Sequence, residues 1–275
     1  MGKLQAQTVE LYPDMMLNYY NNLSHFNPSY FSYSNKWDGW IQYKSRLAPL
    51  NAVSTVSLTG ARYFKVNNYV AQVVRLQIYN EREGSYIQRP RVWLDYAYRI
   101  QFSKEVYLSL GLGMGFVQFN INAPSSTATG SATAPDISTG TSFQYKNHQI
   151  GLGVLQLLNN QIQPINGRLW FKRYITCYAQ GFFKVRFKDA IHYSILYRQQ
   201  TPYFSDINIH SRYTLDEKVS IGATYKYKIG VAFMTQFSIP ASFGKVHFAF
   251  SYMTPLGYQS SSLAQIMELG LGYQE

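Results

Sequence analysis

Lys218-Val219-Ser220-Ile221-Gly222-Ala223-Thr224-Tyr225-Lys226-Tyr227 alternates without a break. Val219, Ile221, Ala223, Tyr225 and Tyr227 make one series; Lys218, Ser220, Gly222, Thr224 and Lys226 make the other. Successive side chains of a β-strand point to opposite faces, so this stretch predicts a strand with one greasy and one polar face. The same pattern returns at residues 92–100, where Val92, Leu94, Tyr96, Tyr98 and Ile100 alternate with Trp93, Asp95, Ala97 and Arg99. It returns again at 191–198 and 245–252. Noisier versions run near 37–46, 52–63, 69–79, 106–119, 149–157, 170–186, 204–213, 229–237 and 266–273. Turn chemistry separates them: Asn67-Asn68, Glu83-Gly84, Asn166-Gly167, Asp216-Glu217, and Pro240 through Gly244. The pattern predicts roughly twelve to fourteen strands, and bacterial barrels favour even numbers.

Composition says what covers the greasy faces. Only 14% of residues are charged, against about 25% in an average soluble domain, while 17% are aromatic. Mean hydropathy is nevertheless −0.22, so the chain is not apolar throughout. Strands that meet lipid on one side and a polar interior on the other have this make-up, with aromatic girdles at the interfaces. A soluble sandwich would carry more surface charge. The longest uncharged run, 106–135, is broken by Gly, Ser, Thr, Asn and Pro and does not read as a membrane helix. Lipid admits only helices and closed barrels. The expected fold is therefore all-β: a transmembrane antiparallel β-barrel of outer-membrane type, located in the cell outer membrane among its lipids.

Residues 9–275 read as one barrel domain. Leu4-Gln5-Ala6-Gln7 resembles the tail of a secretory signal, so residues 1–8 are expected to be a residual signal end or a disordered N-terminus. Residues 9–35 are irregular, rich in Asn and Tyr, and expected to pack in the barrel mouth or lumen. Residues 122–142 are rich in Ser, Thr, Ala and Gly with one charge, Asp136, and are expected to form a long extracellular loop.

Little in the chain points to catalysis. Gly111, Gly113 and Gly115 miss the dinucleotide spacing, because Phe116 stands where the third glycine is needed. They read better as small lumen-side residues where backbone or a plug comes close; Gly151/Gly153 and Gly270/Gly272 repeat the spacing. The five histidines (His25, His148, His192, His210 and His247) form no metal-ligand pair in sequence. Cys177 is the only cysteine, so no internal disulfide forms. No GxSxG elbow occurs. Neither catalytic residues nor a cofactor is expected.

The polar series carries the sharper expectation. Arg99, Arg198, Arg212, Lys218, Lys226, Lys245 and His247 all fall on the non-greasy side of their strands, and the net charge is +11. A closed barrel would turn them inward. They then either pair with Asp95, Asp206 and Glu268 and fill the interior, or give a cationic lumen that favours anionic solutes or an acidic segment. The basic residues are dispersed rather than clustered, which argues against nucleic acid as a partner.

Several stretches resemble one family. Tyr19-Tyr20-Asn21-Asn22 through Phe26-Asn27-Pro28-Ser29-Tyr30 is similar to the N-terminal signature of the PorP/SprF-like membrane proteins of Bacteroidetes. Trp37 to Arg46 with Ala48-Pro49, Asp95 to Ile100, Leu108 to Gly113, Ile150 to Leu158 and Gly257 to Tyr273 resemble its later strands in the same order. The resemblance implies a non-enzymatic barrel accessory to type IX secretion and gliding motility. It would assist secretion or surface anchoring of a large adhesin-like protein. Its partners would be that protein or its C-terminal domain, together with secretion components. The alternative from the residues alone is a porin or small-solute transporter with a cationic lumen.

Overall fold

The computed structural model describes residues 15–32, 36–47, 53–122, 129–165, 168–200, 204–256 and 265–275. The strands run β1 (Trp37–Arg46), β2 (Ser54–Lys65), β3 (Val70–Glu83), β4 (Ile87–Ser103), β5 (Val106–Asn122), β6 (Thr129–Tyr145) and β7 (His148–Leu155). A small hairpin follows, β8 (Gln161–Ile162) and β9 (Leu169–Trp170). Then come β10 (Tyr174–Lys184), β11 (Ala190–Gln200), β12 (Phe204–Leu215), β13 (Val219–Lys226), β14 (Gly230–Ala241), β15 (Gly244–Pro255) and β16 (Ile266–Gln274). All but β8 and β9 form one closed antiparallel barrel of 14 strands. β1 closes on β16 from Asp38↔Gln274 to Arg46↔Ile266, so every wall strand has two neighbours.

The wall follows the alternation read in the sequence. On β5, Leu110, Leu112, Met114 and Phe116 point outward and are exposed, while Gly111 and Gly113 point inward. At one rim the connections are two to five residues long, and exposed aromatics gather there: Phe64, Tyr69, Phe102, Tyr145, Phe187 and Phe243. This is an interfacial girdle. The opposite rim carries longer connections, among them residues 156–173 with the β8–β9 hairpin.

Strand length is uneven, and it marks where lipid ends. β4, β5 and β6 have 17 residues each and β7 only 8. At about 3.3 Å per residue the long strands exceed what a tilted crossing of the hydrocarbon layer needs. Their outward faces change character accordingly. The row Ile78–Val92–Phe116 is apolar; past it come Asn80 and Pro90, Gln88, Gln118, Asn120 and Ser131. Gln118 and Asn120 both hydrogen-bond Ser131 on this exposed face, at 3.0 and 2.7 Å. The sheet β3–β6 thus stands above the lipid as a polar-faced wall. The β8–β9 hairpin packs inside it, with Ile162 and Phe171 against Val117, Phe119 and Ala134.

The long loop expected at 122–142 is not found over 129–142, which is strand, and residues 123–128 lie outside the described residues. Thr129 to Tyr145 form β6, paired with β5 along their whole length. The stretch lacks a greasy face because its upper half meets no lipid, and its ladder needs only backbone. β7 pairs with β6 from Thr139 to Tyr145 only, so Pro135 sits on an edge where a missing N–H removes no bond. The Pro240–Gly244 turn is shorter than expected, since β14 runs to Ala241 and β15 starts at Gly244. The signal reading of residues 1–8 and the Asn166-Gly167 turn lie outside the described residues.

Candidate functional site: a plugged lumen

Residues 15–32 run inside the barrel. Two single-turn 3-10 helices, Tyr19–Asn21 and Leu23–His25, give the segment its shape. Met15, Leu17, Tyr19, Leu23, Phe26 and Phe31 are buried. Met15, Tyr19, Tyr20, Leu23, Phe26 and Tyr30 form an apolar cluster with Tyr178, Leu196 and Met234 of the wall. Burial of such side chains is worth roughly 1.5–3 kcal/mol each, which offsets the ordering of a chain without extended secondary structure.

Polar contacts fix its position from many sides. Glu268 of β16 accepts the backbone N–H groups of Leu17 and Asn18, and Gln42 donates to the same carboxylate at 3.1 Å. Lys44 donates to the Met15 carbonyl at 2.8 Å and Ser251 to Asn18 Oδ1 at 2.6 Å. The Tyr19 hydroxyl reaches the Ser194 carbonyl at 2.9 Å. Arg75 donates to the Tyr30 carbonyl at 2.9 Å.

Phe26-Asn27-Pro28-Ser29 lies in a cradle of glycines. A side chain at Gly111 would collide with the Pro28 and Ser29 backbone, at Gly140 or Gly151 with Asn27, and at Gly153 with the Phe26 carbonyl. The bare wall lets plug backbone approach and hydrogen-bond: Thr176 donates to Phe26 O at 2.5 Å, Asn27 to Thr141 O at 3.1 Å and Ser142 to Ser29 O at 3.1 Å. Asn27 Oδ1 in turn accepts from Ser29 N at 2.9 Å, which closes the turn over Pro28. A small space remains between the plug and the opposite wall, bordered by His25, Gln77, Trp93, Asp95 and Asp136.

The seven basic residues singled out in the sequence do not form one cluster. Arg198 is buried and paired with Asp206, its strand partner, at 2.5 Å. Lys226 is buried, with electrostatic links to Asp206 and Glu268. Arg99 lies over the Phe31 ring at 4.1 Å and donates to Ser109 at 3.1 Å. Arg212 and His247 line one cavity at the short-turn side. Lys218 and Lys245 sit at that rim, paired with Asp216 at 3.0 Å and Glu217 at 2.6 Å. Hydrogen bonds from these lysines hold both carboxyls below the usual carboxylate range. Of the three acids, Asp206 meets Arg198, Asp95 sits 3.9 Å from Arg75 and bonds Gln77, and Glu268 anchors the plug. Arg75 and Arg91, both inward and about 1% exposed, are further interior cations. Arg91 precedes the apolar alternation that begins at Val92, because β4 starts earlier, at Ile87. Among the described residues no group of His, Cys, Asp or Glu is arranged to hold a metal.

A closed barrel, lipid-facing outside and filled by its own N-terminal segment, defines the class: a plugged outer-membrane β-barrel. Solved structures of similar fold include the Pseudomonas putida toluene transporter TodX, at TM-score 0.58 and 8% identity over 92% of this chain and 94% of that one. A FadL homologue of Pseudomonas aeruginosa matches at 0.51 and 9%, over 90% and 92%. The CymD monoaromatic hydrocarbon channel matches at 0.57 and 8%, over 93% and 92%. At such identities the likeness is one of fold. No curated protein matches the chain. The chain belongs to the family described as type IX secretion system membrane protein PorP/SprF, whose model matches residues 8–273. It is thus an outer-membrane protein of a type IX secretion family, and the stretch Tyr19 to Tyr30, which resembles that family's N-terminal signature, lies in the segment that plugs the barrel.

Proposed function

We propose that this protein is a non-enzymatic accessory barrel of the type IX machinery that receives a secreted surface protein, adhesin-like, or its C-terminal domain. The observation that carries the reading is the filled lumen. A barrel closed by 18 described residues of its own chain, hydrogen-bonded around its circumference, serves as a platform rather than a conduit. The family match supports the link to secretion. Short turns face the periplasm in bacterial barrels and longer loops face outward, so the raised β3–β6 wall and the β8–β9 hairpin are extracellular. They offer the partner a rigid surface rather than a floppy loop. Affinity capture of the tagged barrel from envelope extracts tests this: a co-purifying surface protein or secretion component is expected. Capture of neither, at a yield where outer-membrane lipid co-purifies, counts against it.

The second reading is a small-solute channel, favoured by the fold likeness to a toluene transporter and a monoaromatic hydrocarbon channel. On that reading the plug would have to yield to substrate. Uptake of aromatic hydrocarbons into vesicles carrying the barrel separates the two readings, because the accessory barrel transports none.

A further inference from the structure

On the short-turn side of the plug lies a cavity of about 250 Å³ that the secretion reading does not use. Tyr20 and Tyr30 of the plug roof it, and Trp40, His192, Arg212 and His247 line its wall. A wider vestibule shares His192, Arg212 and His247 and extends to Lys184, Lys188 and Lys245 at the rim, where Asp189 and Glu217 also line it.

Arg212 is the unusual member. Its guanidinium lies over the Tyr20 ring at 4.9 Å, and Nη1 reaches only amide oxygens, Gln236 Oε1 at 3.2 Å and Asn21 Oδ1 at 3.4 Å. Its Nε is buried without a partner. No carboxylate among the described residues pairs with it. Asp38 lines the same cavity, but its carboxylate accepts the Tyr63 hydroxyl at 2.6 Å. The site is otherwise ordered: Gln236 Nε2 lies 3.3 Å from His247 Nδ1, which is 2.8 Å from Ser238 Oγ, and His247 stacks on Trp40. His210, stacked under Tyr20 at 3.6 Å, has a buried Nε2 with no partner. A half-buried guanidinium held only by amide oxygens and the Tyr20 side chain lacks the carboxylate partner that would compensate it fully. A planar fork of donors fits a carboxylate or phosphate.

We infer that this vestibule binds a small oxyanion, a carboxylate or a phosphate, which enters from the short-turn rim and stops at the plug. The rim lysines Lys188 and Lys245 are paired with Asp216 and Glu217, so the attraction for an anion comes from Arg212 rather than from the mouth. The site holds its ligand and does not pass it on, because Tyr20 and Tyr30 close the inner end. The inference is independent of the secretion partner.

Calorimetric titration of the detergent-solubilised full chain tests it, with succinate, citrate and inorganic phosphate as probes and succinamide as the neutral control. Saturable binding of at least one anion is expected, weakened by salt, with none for succinamide. Preference for succinate or citrate assigns a carboxylate ligand, and preference for phosphate a phosphate. Arg212→Gln should weaken binding about tenfold or more. Gln236→Glu should do the same by giving the guanidinium an internal carboxylate, while the melting midpoint stays equal or rises, which separates loss of the site from loss of the fold. Absence of saturable anion binding, equal binding of succinamide, or unchanged affinity in the Gln236→Glu protein overturns the inference.

Discussion

Single residues decide whether the plug seats. Glu268 is fully buried and holds the plug through two backbone N–H groups. Glu268→Gln keeps the shape but replaces charge-assisted bonds with neutral ones, at a cost of about 1–3 kcal/mol. A lower thermal midpoint in detergent and faster proteolysis near residue 17 are the expected readouts. Gly111 is the complementary case. Any side chain there meets the Pro28–Ser29 backbone, so Gly111→Leu should displace the plug, costing about 1–3 kcal/mol or more. The Arg198–Asp206 pair, both under 5% exposed, behaves differently because it joins wall to wall. Arg198→Leu strands a buried carboxylate and should cost about 3–5 kcal/mol, and the double variant with Asp206→Leu should recover most of it. Denaturant titration of the three proteins checks both halves of that statement.

At the scale of elements, lipid contact ends part-way up β3–β6. Leu112 faces the hydrocarbon and is 46% exposed, whereas Ser131 stands on the polar wall above it. Leu112→Arg should therefore destabilise the barrel in vesicles by about 2–4 kcal/mol, and Ser131→Arg by about 0–1 kcal/mol. Equal penalties would mean that the membrane boundary is drawn in the wrong place. The same contrast explains how far the sequence could be read. Strands that meet lipid announce themselves: β1 was predicted at Trp37–Arg46 and forms there. β6 was hidden because Thr129, Ser131 and Thr133 alternate with Gly130, Ala132 and Ala134, and a face that meets water needs no greasy series. The glycine spacing at 111–115 and 151–153 was legible as close approach. What approaches was not, because Phe26 to Ser29 lie more than 80 residues away in the chain. Likewise the inward direction of the cations followed from the alternation, but the pairing of Asp95 with Arg75 depends on the β3–β4 register, and the use of Glu268 as an anchor on the plug.

For the whole molecule, the net charge of +11 does not make an open cationic pore. Arg198 is paired, Arg75 and Lys44 bind plug carbonyls, and Lys218 and Lys245 are paired at the rim. The barrel lies in the outer membrane with a raised wall at its long-loop end and a vestibule at its short-turn end, and its proposed work is done at these two ends. Blockage of the lumen by residues 15–32 is the claim on which this picture rests. Planar-bilayer recording tests it most directly, comparing the full chain with Gly111→Leu and with a deletion of residues 15–32. The full chain should insert and stay silent, and either altered protein should show steady ohmic steps. Steady current through the unaltered chain would contradict a closed lumen.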